Sequence, residues 1–146
     1  MSYTNLLYHI VYATKSRKPL ITSELKSRLH GYLGGIVGGL GCVPLEINGM
    51  QEHVHLLVRL RPTIAVSDFL SKLKSLSSLW AKRQTRGRFA WQAKYGAFTV
   101  SESQVGKVRK YIREQEKHHR TMSFEEEFEA LIKGNRIDFD EKYLWT

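Results

Sequence analysis

The chain has 146 residues, of which 42% are hydrophobic and 25% are charged, a composition typical of one folded domain spanning residues 1–146. No stretch of about 18 apolar residues occurs, so the sequence predicts no transmembrane helix. The single cysteine, Cys42, excludes an internal disulfide, and the first residues lack the pattern of a signal peptide. We therefore expect a cytoplasmic protein.

Charge is distributed unevenly along the chain. Residues 1–120 contain 20 lysines and arginines against 7 acidic residues, whereas residues 121–146 contain 3 against 7. A body this basic attracts polyanions, and nucleic acid is the commonest polyanion in a cytoplasm. A solvated basic surface without a partner would have the same composition, so charge alone names no chemistry.

The beginning of the sequence predicts a strand and a helix. Residues 6–13 are rich in β-branched and aromatic side chains, which favour a strand. Apolar residues then recur at helical spacing up to Leu40, behind a capping residue at Thr22 or Ser23. Four of these helical positions are glycine, namely 34, 35, 38 and 39. Because each glycine costs a helix about 1 kcal/mol relative to alanine, this helix either packs very closely on a neighbour or frays early.

Two strands, a second helix and a short fourth strand follow. The strands cover residues 43–50 and 53–60 and are joined by a hairpin turn. The second helix is predicted to turn four large apolar side chains inward: Phe69, Leu73, Leu76 and Trp80. Residues 97–100 predict the fourth strand.

Two capping boxes indicate where the last two helices begin. Ser101 with Gln104 opens the first of these helices, and Ser123 with Glu126 opens the second. Acidic residues in the first turn of the last helix complement the helix dipole, and its apolar face is available for packing. The order of elements predicts an α+β fold, namely a ferredoxin-like or RRM-like split βαβ antiparallel sheet with helices on one face and an added C-terminal helix.

The segment His53-Val54-His55 is the sharpest local signal of chemistry. Because side chains alternate along a strand, both histidines are predicted to lie on the open face of the sheet, opposite the apolar residues that face the helices. Two imidazoles placed side by side can share a divalent metal ion. Two unrelated surface histidines would give the same pattern, so the motif alone leaves the metal open.

Tyr111 and Gln115 form a second pair, one helical turn apart in a predicted helix over residues 105–119. At that spacing a phenol oxygen and an amide oxygen can reach one point in space, the first to attack and the second to complete the ligands of a metal. A tyrosine packed on the core beside a solvated glutamine is the alternative for this pair.

Five segments together resemble the single-tyrosine HUH transposases, which comprise small insertion-sequence transposases and REP-associated tyrosine transposases. Gly49–Val58 is similar to the family's histidine–hydrophobic–histidine motif, and Tyr111–His119 is similar to its nucleophile helix. Other segments resemble family segments in the same order: Tyr8–Lys15, Lys72–Ser78 and Trp91–Phe98. Glu52 departs from the aspartate that is usual in the family, but it keeps the charge.

This resemblance implies an activity and a set of site residues. Family members bind imperfect DNA hairpins, cleave a single strand nearby and rejoin it elsewhere through a 5′-phosphotyrosine. Carried onto this sequence, Tyr111 would be the catalytic nucleophile. The residues that would hold Mg²⁺ or Mn²⁺ are His53, His55 and Gln115. The ion would neutralise charge that develops on the scissile phosphate and orient it for in-line attack.

Single-stranded DNA hairpins are the expected partner. Six basic residues are predicted to follow the phosphates: Arg17, Lys18, Lys72, Lys74, Lys82 and Arg83. Two other functions remain open at this point. A non-catalytic module with an RRM-like sheet would bind single-stranded nucleic acid through basic loops and exposed aromatic side chains. A metal-dependent nuclease would hydrolyse DNA and use the histidines without Tyr111.

We also expect a homodimer, in which Tyr111 of one chain serves His53 and His55 of the other. The basic, glycine-containing stretch 83–96 would let the catalytic helix leave its own sheet. The strand at 97–100 would lie at a sheet edge that a twofold partner extends. The resemblance to insertion-sequence transposases favours this shared site, whereas the REP-associated branch would keep the tyrosine in its own subunit.

Overall fold

The core of the molecule is a four-stranded antiparallel sheet, seen in a computed structural model that describes residues 2–145. Its strands are β1 (Leu6–Ala13), β2 (Val43–Gly49), β3 (His53–Leu60) and β4 (Gly96–Val100). The helices are α1 (Ser23–Gly39), α2 (Val66–Gln84), α3 (Val105–Arg113), α4 (Gln115–His118), α5 (Phe124–Gly134) and α6 (Glu141–Leu144). The strand order is β2-β3-β1-β4, so the predicted α+β fold is confirmed.

The central pair of strands, β1 and β3, is antiparallel, with Leu6 opposite Leu60 and Ala13 opposite His53. β2 forms a hairpin with β3 and lies at one edge, where an irregularity separates Pro44 from Glu46. A proline is tolerated there because an edge strand does not need every N–H for pairing. β4 forms the other edge.

One face of the sheet packs against α1 and α2. The fully buried side chains of this core include Ile10, Tyr12, Leu29, Leu33, Val54, Leu56, Val58, Phe69 and Leu73. α1 runs through to Gly39 although it contains five glycines, and an added Cβ at Gly35 or Gly38 would meet no described atom within 4 Å. Its four buried aliphatic side chains contribute about 6–12 kcal/mol, against about 5 kcal/mol lost at the glycines. The helix therefore neither packs closely through its glycines nor frays early.

The other face of the sheet carries a second, smaller core. Its buried members are Val11, Ala13, Phe98, Phe124, Phe128 and Ile132. The last three belong to α5, whose predicted apolar face thus packs on the sheet. Partly buried Trp145, just beyond α6, packs against the same cluster. The C-terminal segment therefore covers the sheet face opposite α1 and α2.

Some local predictions hold and others fail. The capping box at Ser123 is confirmed, because its hydroxyl accepts from the Glu126 N–H and the Glu126 carboxylate accepts from the Ser123 N–H. The box at Ser101 is wrong: its hydroxyl contacts Ser103 at 3.1 Å, and a 3₁₀ turn precedes α3. Leu76 is 44% exposed instead of inward, since the buried stripe of α2 passes one residue away from it. Among residues 2–145, no helix is long and apolar enough to cross a bilayer.

Candidate active site and metal centre

β3 supplies the first two side chains of the site. Val54 and Leu56 pack in the core under α1 and α2, so strand alternation turns His53 and His55 to the opposite face. The prediction that the two histidines share a face is confirmed. The prediction that this face is open is wrong, because both histidines are 0% exposed beneath the C-terminal helices.

In each of these two histidines, the Nδ1 atom lies within hydrogen-bond distance of a neighbouring side chain. The Nδ1 atom of His53 lies 2.6 Å from the carboxylate of Glu52, and the Nδ1 atom of His55 lies 2.8 Å from Nε2 of His9. Partners of this kind fix the orientation of an imidazole and the nitrogen that it presents. Both Nε2 atoms are consequently aimed into the same space. Glu52 and His9 were not predicted as site residues.

Tyr111 and Gln115 approach this space from two helices instead of the predicted single one. α3 ends at Arg113, and Glu114 has a non-helical backbone with φ −93° and ψ 24°. The Asn48 amide of β2 donates to the carbonyl of Ile112 at 2.9 Å and to that of Arg113 at 3.2 Å. These bonds satisfy carbonyl groups left free where the helix ends.

Ion pairs also keep α3 on its own sheet. The Glu46 carboxylate on β2 lies 3.3 Å from the guanidinium of Arg109 and 3.0 Å from that of Arg113. The rings of Tyr111 and His55 consequently lie in one chain with centroids 5.9 Å apart. The groups that we expected from two chains are thus gathered within one.

Glu127 of α5 occupies the centre of the cluster and was missed by the sequence analysis. The distances from its Oε1 to imidazole Nε2 atoms are 3.3 Å for His53, 3.0 Å for His55 and 3.0 Å for His119. Its Oε2 accepts from the amide of Gln115 at 2.9 Å and from the hydroxyl of Tyr111. One signal could have identified it, because Glu127 lies inside the apolar stripe of α5.

Burial and hydrogen bonding set the protonation states in the cluster. Burial raises the pKa of Tyr111 far above its usual value, and the Glu127 carboxylate raises it further. Burial alone would raise the pKa of Glu127, but hydrogen bonds from His53 and His55 outweigh it and lower that pKa. Burial also lowers the pKa of His55 to about 4. A charged carboxylate therefore lies beside a protonated phenol.

The donor atoms of this cluster suit a divalent metal ion. One nitrogen each from His53 and His119 and one oxygen of Glu127 lie within 4.8 Å of one another. Gln115 adds an amide oxygen 2.9 Å from Nε2 of His53 and 3.1 Å from Nε2 of His119. Imidazole nitrogens combined with carboxylate and amide oxygens form a usual ligand set for such ions. The residues present therefore fit a metal.

The six basic residues predicted to bind DNA do not form one continuous track. Lys74 and Lys82 of α2 line a groove of about 510 Å³ that Trp91 also borders. Lys18 lines a second groove of about 330 Å³, and Arg17 borders a third, of about 230 Å³, beside Glu52 and His119. Lys72 and Arg83 are exposed on α2.

Two of these basic residues already have partners within the protein. Arg17 forms an ion pair with Glu125 at 2.9 Å and lies over the ring of Trp145 at 4.6 Å. The Lys74 ammonium donates to backbone carbonyls of the loop before β4, and burial lowers its pKa to about 8. Their contact with DNA stays a prediction.

Comparison with known proteins decides the family. A family model described as "Transposase IS200 like" matches residues 2–115. The chain belongs to the IS200-like transposase family. The match includes both histidines of β3, Tyr111 and Gln115, whereas His119 and Glu127 lie beyond it.

Individual relatives agree with this family. The chain is 30% identical over 117 residues to the ISDra2 transposase TnpA of Deinococcus radiodurans, covering 75% of this chain and 84% of that protein. It is also 30% identical over 118 residues to the IS200 transposase of Salmonella typhimurium, covering 76% of this chain and 77% of the relative.

Two solved structures resemble this IS200-like transposase. A crystal structure of a transposase from Deinococcus radiodurans superposes with a TM-score of 0.65 at 27% identity, covering 78% of this chain and 93% of that one. The structure of a REP-associated tyrosine transposase bound to a REP hairpin gives a TM-score of 0.61 at 13% identity, covering 82% and 72%. At that identity the second structure supports the fold alone.

Proposed function

We propose that this IS200-like transposase cuts single-stranded DNA beside a hairpin and rejoins it through a 5′-phosphotyrosine on Tyr111. In this proposal Mg²⁺ or Mn²⁺ is held by His53, His55 and Gln115. One observation carries it: a tyrosine hydroxyl, two imidazole nitrogens and an amide converge on a single buried cluster.

The Tyr111 hydroxyl would lose its proton as its oxygen attacks the phosphorus of the scissile phosphate, and the displaced 3′-oxygen would take up one proton and leave as a hydroxyl, so that protons balance. The phosphate is then esterified to the tyrosine, so a second 3′-hydroxyl can reverse the step without ATP. His118 stacks on the Tyr111 ring with centroids 4.6 Å apart, which holds that ring in place. A protonated tyrosine is a weak nucleophile, and a bound divalent ion would supply positive charge at the phosphate.

The proposed partner is a single-stranded DNA hairpin. The groove lined by Lys74, Lys82 and Trp91 combines ammonium groups with an aromatic ring, which suits phosphates and unstacked bases. The net charge of +9 adds a general attraction to DNA.

A homodimer is also part of the proposal, because β4 is an edge strand that a second copy would extend. The contacts between α3 and β2 support a tyrosine that serves the histidines of its own chain. The test is to mix Tyr111→Phe with His53→Ala under conditions that exchange subunits. Self-contained sites leave the mixture silent, whereas restored cleavage would establish the shared site expected from the sequence.

The proposal is tested by incubating the protein with a panel of hairpin-flanked single strands and Mn²⁺. A protein–DNA adduct that survives a denaturing gel is expected from wild type. None is expected from His53→Ala or in excess chelator, while hairpin binding stays within a few-fold. Cleavage without an adduct would instead identify a hydrolytic nuclease, and binding without cleavage a non-catalytic module.

A further inference from the structure

Two side chains outside the family match lie in the same cluster as the expected metal ligands. We infer that His119 and Glu127 are ligands of the same ion, so that the C-terminal segment completes the metal centre. This inference rests on the proposed function and extends it to two residues that lie beyond the family match. It also assigns a role to the contact between α5 and the sheet.

One donor atom each of His53, His119 and Glu127 lies close enough to the other two for the three to share one coordination sphere. Ligand atoms lie about 2.0–2.2 Å from ions of this type, so neighbouring ligands at right angles are about 3 Å apart. The carboxylate oxygen Oε1 of Glu127 lies 3.0 Å from Nε2 of both His55 and His119 and 3.3 Å from Nε2 of His53. The amide oxygen of Gln115 is 2.9 Å from Nε2 of His53 and 3.1 Å from that of His119.

The hydrogen-bonding capacity of the cluster also favours a cation at its centre. The Nδ1 atom of His53 is hydrogen-bonded to Glu52, and its Nε2 atom faces the oxygens of Gln115 and Glu127. With a metal bound, this nitrogen and both oxygens would present lone pairs to the ion. A divalent ion accepts all of them at once, and it also compensates the buried charge of Glu127.

The second oxygen of Glu127 links the ion to the nucleophile. Oε1 faces the three imidazoles, while Oε2 accepts the hydrogen bond of the Tyr111 hydroxyl. One carboxylate therefore ligates the metal and positions the tyrosine. Three imidazoles in the ligand set also favour Mn²⁺ over Mg²⁺, which prefers oxygen ligands and keeps several waters.

The test measures metal binding by the full chain without DNA. Titration with Mn²⁺, followed calorimetrically, is expected to show an affinity that falls about 10- to 100-fold in Glu127→Gln, which preserves the shape of the side chain. Glu129→Gln removes the same charge from the same helix and serves as the matched control, with an affinity within about twofold of wild type. Electron spin echo modulation on bound Mn²⁺ is expected to detect three imidazole nitrogens in wild type and two in His119→Asn.

The spectroscopic count on wild type needs no variant, so it remains decisive if a substitution prevents folding. Two imidazoles in wild type, or an unchanged or tighter affinity in Glu127→Gln, would overturn the inference. His53→Ala separates this failure from that of the proposed function. If His53→Ala abolishes Mn²⁺ binding while Glu127→Gln does not weaken it, the site of the proposed function is supported and the inference about the C-terminal segment is wrong. If wild type binds no metal, both the proposed metal site and this inference are wrong.

Discussion

Gly49→Ala is expected to damage the site through the backbone alone. Gly49 ends β2 opposite Val54, and a Cβ added there would lie 2.2 Å from the carbonyl oxygen of His53 and 2.8 Å from Cα of Val54. These are backbone atoms of the strand that carries both histidines, so no side-chain rotation relieves the clash. β3 itself must shift.

The expected magnitude follows from that geometry. Overpacking a core typically lowers the free energy of unfolding by about 1–3 kcal/mol. A clash that only backbone movement relieves is expected to cost about 3 kcal/mol or more. For a chain of this length, that loss lowers Tm by about 6–12 °C. Because a displacement of about 1 Å at a reacting group costs about 100-fold in rate, adduct formation is expected to fall far more than stability.

Denaturation in urea, followed by tryptophan fluorescence, measures the change in the free energy of unfolding, and a Mn²⁺ titration measures the site. Gly35→Ala is the control, because its added Cβ meets no described atom within 4 Å. That substitution is expected to stabilise α1 by about 0.5–1 kcal/mol and to leave metal affinity unchanged. Wild-type stability and metal affinity in Gly49→Ala would instead show that β3 accommodates the added Cβ without moving the histidines.

Three further predictions concern charge and hydrogen bonding. Burial lowers the pKa of His30 to about 4 from 6.5, and in residues 2–145 its Nε2 has no hydrogen-bond partner. As pH drops, His30 takes up a proton in the unfolded chain at a higher pH than in the folded protein, so the free energy of unfolding falls below pH 6.5. Denaturation curves at pH 5 are expected to show that His30→Leu removes about 2 kcal/mol of this loss. Glu52→Ala, which frees Nδ1 of His53, is expected to weaken Mn²⁺ binding about 10- to 100-fold, whereas Glu52→Gln should retain more affinity. Affinity for a single-stranded hairpin, measured by fluorescence anisotropy, is expected to fall about 10³-fold between 50 and 200 mM salt if six phosphates are contacted. An affinity that does not change with salt would exclude binding through the phosphates.

Periodicity in the sequence predicted most of the sheet and half of the site. The alternation of apolar residues around His53 and His55 places both histidines on one side of β3, because every second side chain of a strand lies on the same face. The spacing of Tyr111 and Gln115 likewise brings both to the cluster, although a break at Glu114 separates their helices. These features depend on neighbours in the sequence.

The remainder depends on long-range packing, which local patterns do not encode. The apolar face of α5 was recognised, but nothing in its period specifies that it packs over the histidines. Glu127 was accordingly interpreted as a complement to the helix dipole, although it is 1% exposed and contacts five side chains of the site. Leu76 was assigned inward for the same reason, since several stripes of α2 are apolar and only the tertiary fold selects one.

Locating the DNA on the protein tests directly whether Tyr111 is the nucleophile. The covalent adduct is purified, trimmed with nuclease, digested with trypsin and analysed by mass spectrometry. Cleavage after Lys110 and Arg113 isolates Tyr111 in a short peptide, and a nucleotide 5′-phosphate is expected on that peptide alone. A nucleotide on any of the other six tyrosines, or on no tyrosine, would show that Tyr111 is not the nucleophile.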